Sequence, residues 1–251
     1  MTNLGPTTGG RRRMTRQDEV PAELRRLWGL SEPARLGRRA ELDVTSVVAA
    51  AIELADRDGL AGVTLPKVAK ALGFTSMSLY RYVGSKDELL VLMRDAGLGA
   101  PPPIDTSRWR DGLRAWADAQ RDVYARRPWL IGIPLSGPPS GPHEIAWMEV
   151  ALASLARTGL GWMEKVGVLG VLGGYVRHSV QLSHEMAEGR GEQSQASAER
   201  EYGRALAGLV TAERFPETAK LFGSAAFETP ATDDYAFGLG MILDGIAAAL
   251  R

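Results

Sequence analysis

The residues able to do chemistry in this chain of 251 are few: three histidines, His143, His178 and His184, no cysteine, and the run Thr75-Ser76-Met77-Ser78-Leu79-Tyr80-Arg81-Tyr82. Without cysteine there is no disulfide scaffold, thiolate zinc site or cysteine nucleophile. His184 and Glu188 stand four apart and could grip a metal, but that spacing is commoner as an exposed helix contact. No HExxH spacing, glycine-rich phosphate loop or paired nucleophile and histidine is present, which argues against an enzyme; neither a metal nor another cofactor is expected. What remains is recognition. Hydroxyls, a thioether, phenols and a guanidinium gathered on one short segment form a slender polar surface able to read base edges in a DNA groove.

That surface has to be held by helices, and the flanking pattern supplies them. Asp43 is a plausible N-cap, and Val47, Val48, Ala51, Ile52, Leu54 and Ala55 recur at helical spacing until Asp58-Gly59. A second helix is expected from Thr64 to Leu72, with Pro66 in its first turn and Gly73 at its end. Thr75 is expected to cap a third, Ser76 to Val83, with Leu79 and Val83 facing inward. Ser85 and Glu88 read as a capping box opening a fourth. Two short helices joined by a glycine-containing turn match the helix-turn-helix pattern, which other small helical bundles also contain. Gly99 to Pro103, with three consecutive prolines, marks a boundary. Three parts follow: a basic arm over 1–42, a helix-turn-helix domain over 43–98 and a helical domain over 104–251. In the last, helices are expected over Trp109–Arg127, Glu144–Thr158, Trp162–Glu188, Ser197–Ala212, Pro216–Phe222 and Asp233–Leu250. The fold class is all-α.

The wording of residues 44–97 resembles the DNA-binding domain of the TetR family of bacterial repressors. It is carried by Val63-Thr64-Leu65, Val68-Ala69, Leu72-Gly73, Ser78-Leu79-Tyr80-Arg81-Tyr82-Val83 and Ser85-Lys86-Asp87-Glu88-Leu89-Leu90. Residues 105–251 more weakly resemble the regulatory domain of the tetracycline-repressor branch. The resemblance implies that Ser76, Met77, Ser78 and Tyr80 reach the major groove while Thr64, Tyr82 and Lys86 touch phosphate. Lys67, Thr75 and Arg81 complete the candidate set on these helices. Where such families often carry an arginine, this chain has Pro66, which can reach neither base nor phosphate. Met77 reads only apolar features such as a thymine methyl, so no relative's operator sequence transfers.

Net charge is zero, yet residues 1–94 hold 15 Lys and Arg against 11 Asp and Glu, so the basic excess lies toward the candidate DNA-binding end. Arg38 and Arg39 in the preceding arm are candidates for minor-groove contact. In the second half, Trp116, Tyr124 and Trp147 concentrate aromatic area, and Tyr175, His178 and Gln181 are spaced to line one face of an apolar helix; these six are the candidate ligand-binding residues. Gly167, Gly170 and Gly174 imply close approach of another helix. The longest apolar run, Val166 to Val176, is too short to cross a bilayer, and the N-terminus lacks the apolar core of a secretory signal. The function expected is that of a cytoplasmic, homodimeric repressor, released from a palindromic double-stranded operator by an unidentified small-molecule inducer. A helical small-molecule-binding protein without DNA binding is the alternative.

Overall fold

A computed structural model describes residues 20–30, 42–228 and 234–250. Arg38 and Arg39 lie outside the described residues. Among those described, every regular element is helical.

The first long helix, α2 (Val44–Asp58), follows a short α1 (Ala22–Leu27). Asp43 caps α2: its Oδ1 accepts the Ser46 N–H at 2.6 Å, and Ser46 Oγ in turn accepts the Asp43 N–H at 3.2 Å. A single 3-10 turn, Leu60–Gly62, leads to α3 (Leu65–Leu72), which begins under Thr64 and ends at Gly73. Gly73 adopts φ +75°, its N–H bonding the Lys70 carbonyl and the next N–H, of Phe74, the Ala69 carbonyl. This left-handed Schellman ending is what turns the chain sharply into α4 (Ser76–Leu79), and it favours glycine. Next, α5 (Lys86–Leu98) packs across α2. Val47, Ala51, Val63, Val68, Leu79, Val83 and Leu89 are buried in the core these helices share.

Beyond Pro101–Pro103, α6 (Trp109–Arg126), α8 (Pro142–Ser154) and α9 (Trp162–Arg190) pack on one another, with α7 (Trp129–Gly132) wedged between α5 and α6. The last helix, α12 (Asp234–Ala249), lies along α9. Between them, α10 (Gln195–Ala207) and α11 (Pro216–Phe222) close a small aromatic cluster of Tyr202, Phe222 and Phe227, rings 5.2 to 5.7 Å apart. The core of the N-terminal helices runs without a break into that of the later ones. A displacement in one half is therefore felt in the other.

Two expectations for the turn after Gly73 change. The segment expected as a helix from Ser76 to Val83 is one α-turn followed by a looser turn over Tyr80–Tyr82, still closed by Val83 N–H to Leu79 carbonyl at 2.9 Å. Ser76 and Ser78, which compete for backbone hydrogen bonds, and the aromatic Tyr80 and Tyr82 are modest helix formers, so tertiary contact of Leu79 and Val83 fixes the segment. Thr75 does not cap it through a backbone N–H; its Oγ1 lies 3.0 Å from Ser78 Oγ.

Candidate nucleic-acid interface and the joint behind it

The α3–α4 corner presents an outward surface built from the bottom up by burial. Leu79 and Val83 are fully buried and anchor the segment, which forces the intervening side chains outward. Met77 is 75% exposed and Tyr80 50%, large apolar areas that a free domain gains nothing by leaving in water. Ser76 and Ser78 are half-buried, and Thr75 and Arg81 exposed. Tyr82 is half-buried against the core with the Arg81 guanidinium 5.9 Å from its ring centre. Lys67 and Lys86 are exposed. Thr64 is half-buried and accepts the Lys67 N–H at 3.4 Å, which leaves its hydroxyl proton free to be donated.

Lys86 opens α5, behind the N-cap Ser85, whose Oγ accepts the Glu88 N–H at 3.0 Å. The reciprocal half of the expected capping box shifts by one residue: the Glu88 carboxylate accepts the Gly84 N–H at 2.8 Å. The turn over Gly84–Lys86 is thus pinned, with an ammonium beside the positive end of a helix of three turns, an arrangement suited to phosphate.

In the helical half the six candidate ligand residues do not surround one cavity. Trp116 and Trp147 are buried edge to face, 6.3 Å apart, and their indole N–H groups donate to the carbonyls of Trp147 and Gly99, both at 2.8 Å. Burial raises the Tyr124 phenol above its ordinary pKa, opposed by the Arg177 guanidinium. Tyr175 donates to the carbonyls of Asp234 and Tyr235 and stacks on the Tyr235 ring, fastening α9 to α12. His178 and Gln181 are exposed. The expected single stripe fails for a geometric reason: three residues fall about 60° short of a helical turn, so steps of three walk around the helix. Gln181 instead lines a cleft of about 550 Å³ between the two halves, with Asp56, Trp129, His184 and Glu188. Among the described residues a Cβ added at Gly167, Gly170 or Gly174 would meet nothing within 4 Å; Gly173 is in ordinary contact with Trp116, and the close approach on this helix pair falls at Gly238, against Tyr175.

Sequence reasoning missed the joint between the halves. Arg94 and Asp95, on the last turns of α5, are both buried. Asp95 Oδ1 accepts the backbone N–H groups of His143 and Glu144 at 3.0 and 2.9 Å, and its Oδ2 lies 2.9 Å from His143 Nδ1. Helix α8 begins at Gly141, which has no side chain to cap it, so Asp95 caps it from another element; a Cβ on Gly141 would overlap that carboxylate. Arg94 Nε donates to Glu144 at 2.7 Å. At the other end of the seam Asp56 accepts the Trp129 indole N–H at 2.6 Å and the Arg127 Nε at 3.2 Å, while Arg127 also donates to the Gly97 carbonyl. An Arg-Asp pair inside an apolar helix was the available signal, since such a pair is seldom buried without partners.

Comparison with known proteins gives two successive matches along the chain. Residues 47–93 match the bacterial regulatory proteins of the tetR family, and residues 100–250 match the tetracyclin repressor-like C-terminal domain. The HTH-type transcriptional repressor DrrR1 of Streptomyces coeruleorubidus is 34% identical over 233 residues, covering 91% of this chain and 86% of that one. An HTH-type transcriptional regulator of Saccharopolyspora erythraea is 34% identical over 136 residues, 53% of this chain and 58% of that protein. Among solved structures, Streptomyces coelicolor ActR in complex with actinorhodin superposes with a TM-score of 0.70 at 23% identity, covering 84% of this chain and 98% of that one, a likeness of fold. With both halves matched in the order the structure shows, and a relative matched along nearly its whole length, the chain belongs to the TetR family of helix-turn-helix transcriptional regulators.

Proposed function

We propose that the protein is a cytoplasmic repressor without a catalytic step, which occupies a palindromic operator as a homodimer and leaves it when a small molecule binds the helical half. The observation that carries the reading is the outward face from Thr75 to Tyr82, held rigid from behind by Leu79 and Val83 and flanked by Lys67 and Lys86. In it, Ser76, Met77, Ser78 and Tyr80 read bases, with Arg81 and Thr75 beside them, and Thr64, Lys67, Tyr82 and Lys86 hold phosphate. Arg38 and Arg39 lie in the adjoining minor groove.

The dimer forms through α9 and α12. Trp162, Met163, Val171, Phe237 and Met241 expose apolar area there, and the three open glycines of α9 let a second backbone approach. A twofold axis then sets two recognition segments about one DNA turn, roughly 34–36 Å, apart. The effector lodges in the helical half among α6, α8 and α9, the first two of which carry Trp116, Tyr124 and Trp147. It acts through the joint at Asp95 and Asp56, since both lie between that core and the DNA-reading corner. A tenfold loss of operator occupancy requires it to discriminate between two domain settings by about 1.4 kcal/mol.

Selection of bound sequences from random duplex DNA is the test. The reading predicts a palindromic consensus with affinity falling steeply in salt, and compounds that release the complex while changing tryptophan fluorescence. Absence of any salt-dependent DNA binding would leave the alternative, a helical small-molecule-binding protein.

A further inference from the structure

The N-terminal helix α1 lies outside both matched regions, yet it touches both halves of the molecule. Arg26 is ion-paired through Nε with Glu88, whose side chain is only 11% exposed. That carboxylate also accepts the Gly84 N–H and so fixes the turn that presents Lys86. Two residues further on, the Trp28 indole N–H donates to the Ser140 carbonyl at 2.8 Å. Ser140 N–H donates in turn to Glu144, the residue that Arg94 grips in the joint.

We propose that residues 20–30 form a strap, in which Arg26 positions the Gly84–Lys86 phosphate-binding turn through Glu88 while Trp28 ties that turn to the chain segment leading into α8. The argument is electrostatic and geometric. Glu88 is largely withdrawn from water, and a carboxylate so placed holds one orientation only while its donors are present. Removing Arg26 leaves it, among the described residues, with the Gly84 N–H alone, and the turn loosens. Because α8 starts at the Asp95 cap, any shift of that start is passed to the turn by a path separate from α5 itself. Arg26 is a positioning residue: it acts on DNA through Glu88. The inference rests on the DNA-binding reading above.

Two measurements on the full chain test it. In the free protein, without DNA, Arg26→Ala should speed hydrogen exchange of the amides of residues 84–88 at least tenfold at unchanged midpoint of global unfolding, and Trp28→Phe, which removes only the indole donor, should do so by a smaller factor. Unchanged exchange in both variants overturns the strap, whether or not the protein binds DNA. On the operator obtained by selection, Arg26→Ala should weaken binding several-fold with the salt slope unaltered, and the loss should vanish in a Glu88→Gln background. A slope reduced by about one would mean that Arg26 touches phosphate itself, and a loss that persists beside Glu88→Gln would mean that it does not act through Glu88; either overturns the proposal. Failure of the unmodified protein to bind any DNA is a different outcome: it removes the DNA-binding reading while the exchange result still decides the strap.

Discussion

Met77 and Tyr80 expose apolar surface that only a partner can cover, whereas Lys86 offers charge, and the two kinds of residue fail differently when replaced. If Lys86 holds phosphate as proposed, Lys86→Ala should weaken operator binding by a similar factor for all sequences and lower the salt slope by about one. Tyr80→Ala or Ser78→Ala should cost about 1–3 kcal/mol on the preferred operator and relax preference at individual base pairs. Binding titrations over a salt series, on matched and mismatched duplexes, separate the two. Asp43 supplies a residue-scale pH effect. Its hydrogen bonds from the Ser46 side chain and backbone hold its carboxyl below the ordinary aspartate pKa. The folded state therefore gains stability from it above the unfolded value, near pH 4, and loses that gain as pH falls through the lower folded value. Asp43→Asn should flatten the acid limb of the stability profile below about pH 4, as read by denaturant unfolding.

Helices here are held at their ends as much as by their faces. The clearest case is α8, whose cap comes from Asp95 on α5. Asp95→Ala strips two part-buried N–H groups of their acceptor and should lower stability by up to about 1–3 kcal/mol per group left bare. Gly141→Ala should be comparably damaging, since the added methyl collides with the same carboxylate. Thermal unfolding checks both, and operator binding should weaken alongside, because the joint sets where α5 lies. At α4 the logic reverses: one α-turn has little helical stability of its own, and burial of Leu79 and Val83 keeps it in place. Leu79→Ala should therefore abolish DNA binding without touching any residue of the outer face, with a loss of stability of about 2–5 kcal/mol.

At the scale of the whole molecule the proposed reading requires a second copy. Phe237 and Met241 on α12 are 71% and 61% exposed in the single chain, and on the neighbouring α9 a Cβ added at Gly167, Gly170 or Gly174 would meet no described residue within 4 Å. Phe237→Glu with Met241→Lys should yield monomers by light scattering that retain helical content. They should also lose most operator affinity, since one recognition segment reaches only a half-site. Tyr175→Phe offers a milder probe: it releases the clasp on the Asp234 and Tyr235 carbonyls and should weaken dimerisation modestly while leaving the DNA-reading corner intact.

Local rules suffice for much of this protein. Asp43, Thr64, Gly73 and Ser85 mark helix ends by chemistry confined to three or four neighbouring residues, and the spacing of Val47, Ala51, Leu79 and Val83 tells which side faces inward, so the helices were legible from local rules, while reading two of them as a helix-turn-helix rested on the resemblance of residues 44–97. Contacts between residues far apart in sequence were not. That Asp95 caps a helix beginning 47 residues later, that Asp56 meets Trp129, and that Arg26 reaches Glu88 follow from how helices cross, which no periodicity encodes. The Tyr175, His178 and Gln181 stripe fails on spacing alone, since steps of three walk around a helix, but which face of this helix of 29 residues meets the core, which meets water and which is left for a partner is decided only by its packing against α6, α8 and α12.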